Sequence, residues 1–255
     1  MDRRRWLAAG ALAGIWPAQA QLPTPMPRRW AVLSEAAREI QVVIERPPIG
    51  SNMQQNLVQT APIKGGVLDR VALETARAEL LRREPAAGMR RIEPLDTDVF
   101  DARGGFERDS VPAMPADLAD ALRQFGSTHL LLVTRHRAEA SFPFLTGRVG
   151  IGRVEGVGFY VDNHTPVHVV DSNVSGRRGY LAPFAALRAT VLSLPDGRVR
   201  ASRTLLQSVP VPAGEGATSG HPWDTLDTGQ KMRALADAIE QALQQLVPAL
   251  LADLG

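Results

Sequence analysis

Apolar and polar positions follow two different periods along this chain. The densest apolar run is Leu130, Leu131, Leu132 and Val133, within residues 129–137. Four apolar residues without alternation are the pattern of a strand covered on both faces. Residues 187–194 and 199–206 read as two further strands. Pro195, Asp196 and Gly197 between them are turn chemistry, so the pair forms a hairpin. In its second strand Val199, Ala201 and Leu205 share one face, and Arg198, Arg200, Ser202 and Thr204 the other. Residues 30–46 are apolar, with a strand at 40–44 that Arg46, Pro47 and Pro48 stop. Residues 89–95 give a short strand.

Three segments carry helical spacing. Residues 67–84 place Val67, Val71, Ala78 and Leu81 on one stripe, with Leu73 and Leu80 well off it, and Pro85 ends them. Pro115 and Asp117 open a short helix over 115–125 that Gly126 stops. From residue 229, Met232, Leu235, Ile239, Leu243, Leu246 and Leu250 recur at three or four residues. Asp227 and Gln230 have capping-box spacing, and Pro248 is expected to kink or end this helix. Residues 47–66, 101–114 and 209–225 read as loops, and 21–29 as an extended lead-in. The pattern predicts one α/β (α+β) domain over 21–255. It has a single mixed, mainly antiparallel sheet with helices packed on one face. The rival is an all-β sandwich with peripheral helices.

The N-terminus changes where this domain is expected to work. Arg3, Arg4 and Arg5 precede a short apolar stretch from Trp6 to Trp16, then Ala18, Gln19 and Ala20 form a small-x-small site. That order is the order of a secretory signal, cleaved after Ala20, and predicts a periplasmic protein. The stretch is about half the roughly 20 residues a spanning helix needs. Two arginines, any residue and two apolar residues also resemble the twin-arginine pattern, so the Sec and twin-arginine routes both stay open. The chain has no cysteine, which excludes disulfides, thiol catalysis, zinc–thiolate sites and a lipidated cysteine. The 29 Lys and Arg against 27 Asp and Glu become 26 of each once the leader is removed. No general basic footprint for nucleic acid remains.

The most unusual segment runs from Gly147 to Tyr160, with Gly147, Gly150, Gly152, Gly156 and Gly158 alternating with Val149, Ile151, Val154, Val157 and Phe159. A dinucleotide site needs its glycines in a turn that opens a helix, and this alternation is strand grammar. It fits a bent or bulged strand pair where another backbone comes close. It also fits an exposed edge that takes a partner's strand, with Gly150 and Gly152 as bare backbone and Phe159 and Tyr160 as anchors. Asp162, His164, His168 and Asp171 fall within ten residues and could either hold a divalent ion or be polar loop residues. His136, between Arg135 and Arg137, is either an exposed face residue or a base; His129 and His221 have no sequence partner that assigns them chemistry.

Nucleophile motifs are missing: there is no Gly-x-Ser-x-Gly elbow and no Ser-x-x-Lys with its partner motifs. No cofactor is implied. The element order from 67 to 254 resembles the small α/β domain of the CsgG, LpoB and TolB N-terminal group of envelope proteins. The resemblance rests on the helix–stop–strand passage from Ala121 to Val133, the hairpin from Leu192 to Val199 with its Asp-Gly turn, and the long closing helix. It departs from lipoprotein members by lacking cysteine. It implies a domain that binds envelope proteins and does not catalyse. The expected function is thus a non-catalytic exported binding or assembly protein; the alternative is a periplasmic hydrolase with dispersed catalytic residues.

Overall fold

The computed structural model describes residues 28–46, 56–92, 116–144, 147–167, 177–194, 196–213 and 221–254. In chain order these form β1 (Arg29–Glu35), β2 (Glu39–Ile44), β3 (Leu57–Pro62), α1 (Val67–Arg83), β4 (Gly88–Arg91) and α2 (Ala116–Gln124). There follow β5 (His129–Arg135), β6 (Arg137–Glu139), β7 (Phe142–Phe144), β8 (Gly147–Val149), β9 (Arg153–Val167), β10 (Arg177–Ser193), β11 (Val199–Ser208), β12 (Val211–Pro212) and α3 (Thr228–Asp253). The result is a mixed α/β fold with a large, mostly antiparallel sheet of ten strands and three helices.

The long strand β10 organises the sheet. One flank pairs with β9 over its first half and with β5 over its second; the other flank takes β12 and β11. β2 lies parallel to β9, and β1 parallel to β5. So β5 and β9 run end to end along β10, and β1 and β2 run end to end beside them. Both lines break at the same level. The first break is the short crossing at Ala36–Arg38. The second is a β-ribbon made of β6, β7 and β8. Two bonds knit the level of the break: His136 N–H to Ala186 O at 2.9 Å, and Gly156 N–H to His136 O at 3.2 Å.

Alternation along the central strands divides the core. Trp30, Val32, Leu131, Val133, Val157, Phe159, Leu187 and Val191 face α1 and α3. Ala31, Leu33, Leu130, Leu132 and Leu192 face the other way, against Leu118 and Leu122 of α2. Helices thus cover both faces rather than the expected one. Further along that second face the ribbon supplies the cover: Phe142, fully buried, packs on Tyr160, Tyr180 and Phe184. A sheet of this width has two apolar faces to cover, and the uninterrupted apolar runs of β5 and β10 require it.

Other expectations need adjusting. Residues 30–46 hold two strands, and β3 occupies part of the expected loop at 47–66. β3 escapes the alternation test because five of its six residues are exposed and the sixth is half-buried. On α1 the buried stripe is Leu68, Ala72, Leu73, Ala76 and Leu80, whereas Val67 is exposed. α3 continues past Pro248 to Asp253. Leu246, Val247 and Leu250 are buried on both sides of the proline, and this packing offsets the lost hydrogen bond. The capping box forms in full, with Asp227 accepting from Gln230 N–H and Gln230 Oε1 accepting from Asp227 N–H. Among the described residues no helix is long and apolar enough to cross a membrane.

Candidate functional site

The level where both strand lines break opens a cleft of about 330 Å³, lined by Ala36, Arg38, Glu39, Gln41, Arg135, Arg137, Glu155 and Gly156. It lies beyond the carboxyl ends of the parallel strands β1 and β5. That is where open α/β sheets offer ligands a crevice, because neighbouring connections diverge there. Gly156, with φ of 65°, lets β9 begin against the Ala36 crossing: an added Cβ would stand 3.3 Å from Arg135 Cβ.

Charges in the cleft are ordered. Arg135 donates to Glu39 at 2.9 Å and lies 3.4 Å from Glu155. Gln41 Oε1 accepts from Glu155 N–H at 2.8 Å, tying β2 to the start of β9. Arg38 pairs with the buried Glu35 at 3.1 Å. Arg137 is exposed, and among the described residues it has no ion-pair partner. The cleft therefore presents one guanidinium without an ion pair beside a paired set in which Arg135 is shared by two carboxylates.

Beneath the cleft floor a buried carboxyl sets the shape of the crossing. Asp69, in the first turn of α1, accepts through one oxygen from Ser34 O–H at 2.7 Å, Ala36 N–H at 2.9 Å and Ala37 N–H at 3.2 Å. Burial pushes this carboxyl above its ordinary value, and the three donors and Arg38 pull it back in part. The crossing residues Ala36 and Ala37, which no strand ladder serves, are thus held by a side chain from a helix.

The sequence-derived site residues lie elsewhere. Phe159 and Tyr160 were expected to be exposed anchors, and the structure corrects this: they are 2% and 0% exposed. Strand β9 is flanked by β2 and β10 at this point, so alternate side chains enter the two cores. Phe159 stands edge-on to Trp223 at 5.4 Å. Gly150 and Gly152 sit in the return of the ribbon at φ of 112° and 87°. Their added Cβ atoms would come within 2.8 Å of Ala140 O and of Asn56 Nδ2 respectively. Gly150 is required by close contact within the ribbon, and Gly152 by its positive φ.

Asp162 is fully buried and accepts from His164 N–H at 2.6 Å and Thr165 N–H at 2.9 Å, while His164 is exposed. His168 and Asp171 lie outside the described residues. Among the described residues no group of three or more His, Asp and Glu is placed to hold a metal ion. His221 caps the turn at Pro222–Thr225 by accepting from Trp223 N–H, and His129 packs on Trp30 at 5.0 Å. Burial and Arg188 lower the pKa of His136, with Glu155 acting against them.

A second polar group lies under the ribbon. Tyr160 O–H donates to Glu45 at 2.5 Å and accepts from Ile151 N–H at 2.9 Å, so the ribbon's return is pinned through the tyrosine to β2's end. Burial pushes the Glu45 carboxyl up; the neighbouring Asp162 charge adds to this, and the Tyr160 bond and His164 oppose it. The folded state therefore holds the Glu45 proton more tightly than the unfolded chain does. Its contribution to stability is full below the ordinary value of 4.5 and is lost as pH rises through the raised value. Glu45→Gln keeps an acceptor for Tyr160 and has no proton to lose. Melting temperature against pH should fall less steeply above 4.5 for this variant, and an unchanged slope would count against the assignment.

Sequence reasoning missed Arg38, Glu39, Gln41, Arg135, Arg137, Glu155 and Asp69. The available signal was the change from apolar to half-polar after Val133, where the strand line breaks.

No protein-family model matches this chain, and no curated protein matches it. Among solved structures it is similar to a Xanthomonas campestris protein of the DUF330 family, at 18% identity and a TM-score of 0.32, covering 90% of this chain and 86% of that one. It is similar to a Helicobacter pylori protein described as a neuraminyllactose-binding hemagglutinin homologue, at 8% identity and 0.36, covering 90% and 85%. It is also similar to a PelC dodecamer from Paraburkholderia phytofirmans, at 12% and 0.31, covering 89% and 88%. These TM-scores are too low for the likeness to carry a functional assignment.

Proposed function

We propose that this chain is a non-catalytic, exported binding protein of the cell envelope, and that it engages a partner protein at the strand-break cleft. The observation that carries the reading is the cleft's charge order. Its acids, Glu39 and Glu155, are tied to Arg135, an arrangement that fixes a recognition surface, while Arg137 is left to meet an acidic group of the partner. The export part rests on the leader features of residues 1–20, which lie outside the described residues. The order α1, β4, α2, β5, then the β10–β11 hairpin and α3, is the order on which the resemblance to the CsgG, LpoB and TolB N-terminal group rests, and it supports an envelope role.

The test is affinity capture from an envelope fraction with the chain from Gln21 onward, run beside a screen for hydrolytic turnover. A reproducible partner without turnover is expected. Turnover abolished by a substitution at His129, His136 or His164, with no partner captured, would overturn the reading in favour of a hydrolase.

A further inference from the structure

The strands that bound the sheet are not protected alike. β4 carries Arg90 and Arg91, and β11 carries Arg200 and Arg203 with Arg198 just before it. Charges on an outer strand repel the edge of another molecule. β3 has none: from Asn56 to Ile63 the chain reads Asn-Leu-Val-Gln-Thr-Ala-Pro-Ile, and Val58 is 48% exposed. Among the described residues β3 pairs with β2 alone.

The backbone directions on this edge follow from the ladder. Ile63 N–H donates to Arg38 O at 2.9 Å, across the β2–β3 pair. In an antiparallel pair alternate residues send both N–H and C=O to the same neighbour. Ala61, Gln59 and Leu57 therefore address β2, opposite Ile40, Val42 and Ile44. Val58 and Thr60 turn N–H and C=O to the open side. So does Pro62 with its carbonyl, and it has no N–H to leave unmet.

We infer that the β3 edge joins this chain to a second copy of itself, strand to antiparallel strand, about a two-fold axis through Gln59. In that register Val58 faces Thr60 of the other copy. Each such pair exchanges both of its backbone bonds, and this happens on both sides of the axis, so every outward N–H of Val58 and Thr60 finds a carbonyl. The strand is neutral throughout, so no like charges meet. A copy of the same sequence closes the register on itself, as a two-fold contact requires.

Gln59 is exposed and would lie opposite its counterpart, where side chains of a non-bonded antiparallel pair come closest. Sedimentation velocity on the chain from Gln21 onward, in a series reaching about 100 μM, should show a concentration-dependent dimer. Gln59→Lys and Gln59→Glu should each sediment as monomers, with the melting temperature that wild type has at concentrations where it is itself monomeric, and their equimolar mixture should regain the dimer. A wild-type chain that stays monomeric throughout the series overturns the inference. So does a Gln59→Lys chain that still dimerises as wild type does, or a mixture that stays monomeric. Loss of this dimer leaves the cleft reading standing, because Gln59 is not part of the cleft lining.

Discussion

Gly158→Ala should leave little folded protein. Gly158 lies in the middle of β9, opposite Gln41 of β2 and Phe184 of β10. A Cβ built there would stand 1.9 Å from Gln41 O and 2.8 Å from Gln41 C. Those atoms are backbone, so no rotamer change relieves the clash. Relief requires β2 to leave β9, which removes the parallel ladder from Ile40 to Ile44 and carries β3 away with it. Overpacking a core costs about 1–3 kcal/mol where side chains can shift, and a backbone clash belongs at or beyond the upper end. Chemical denaturation of Gly158→Ala beside wild type measures this. A variant within about 1 kcal/mol of wild type would mean that β2 and β9 are not in this register.

Asp69 should divide sharply by substitution. Asp69→Ala removes the acceptor for Ser34 O–H, Ala36 N–H and Ala37 N–H at once, all of them buried. Ala36 N–H keeps Ser34 Oγ at 3.4 Å, so two donors are left unmet, and at about 1–3 kcal/mol each a loss of about 2–6 kcal/mol is expected. Asp69→Asn behaves otherwise. All three donors converge on one oxygen, which an amide can supply, and burial already disfavours the charge. Asp69→Asn should therefore stay within about 1 kcal/mol of wild type. Paired denaturation curves decide it. Equal losses for both variants would show that the charge, not the acceptor, holds the crossing. The same crossing shapes the cleft, so a folded remnant of Asp69→Ala should also capture less partner.

What was legible in the sequence follows from which residues lie in regular, half-covered elements. α3 and the β10–β11 hairpin could be read from apolar spacing and from Asp227 with Gln230 and the Asp196–Gly197 turn, and α2 from its end signals Pro115 and Gly126; α1 was bounded by Pro85 but read on the wrong stripe, because Leu68, Ala72 and Ala76 were passed over for Val67 and Ala78. β3 could not, because a mostly exposed strand leaves no alternation. The first half of β10 was hidden by Pro183, which argues against a strand, yet Pro183 sits in register with Phe159 inside the sheet. The glycine-rich segment was rightly read as bent strand, but the sequence does not say which face it covers. Phe159 and Tyr160 look like exposed anchors until β2 is seen to close the other side of β9. The cleft was invisible for a different reason. Its residues come from β1–β2, the end of β5 and the start of β9, which are adjacent only because two strand lines break at one level. Long-range pairing of that kind leaves no local period.

The most direct measurement is partner capture by Arg137→Glu. Arg137 is exposed and lines the cleft, and it stands in register with Glu155, so reversal should cost no more than about 1 kcal/mol and leave the chain folded. Arg198→Glu, at the far end of the β10–β11 hairpin with its side chain 76% exposed, serves as the matched control. With equal amounts of folded chain immobilised against the same envelope fraction, the account predicts a drop in retained partner of about tenfold or more for Arg137→Glu, since a like charge would then face the partner's acid. Arg198→Glu should retain as much as wild type. Equal capture by wild type and Arg137→Glu would contradict the assignment of the strand-break cleft as the binding site.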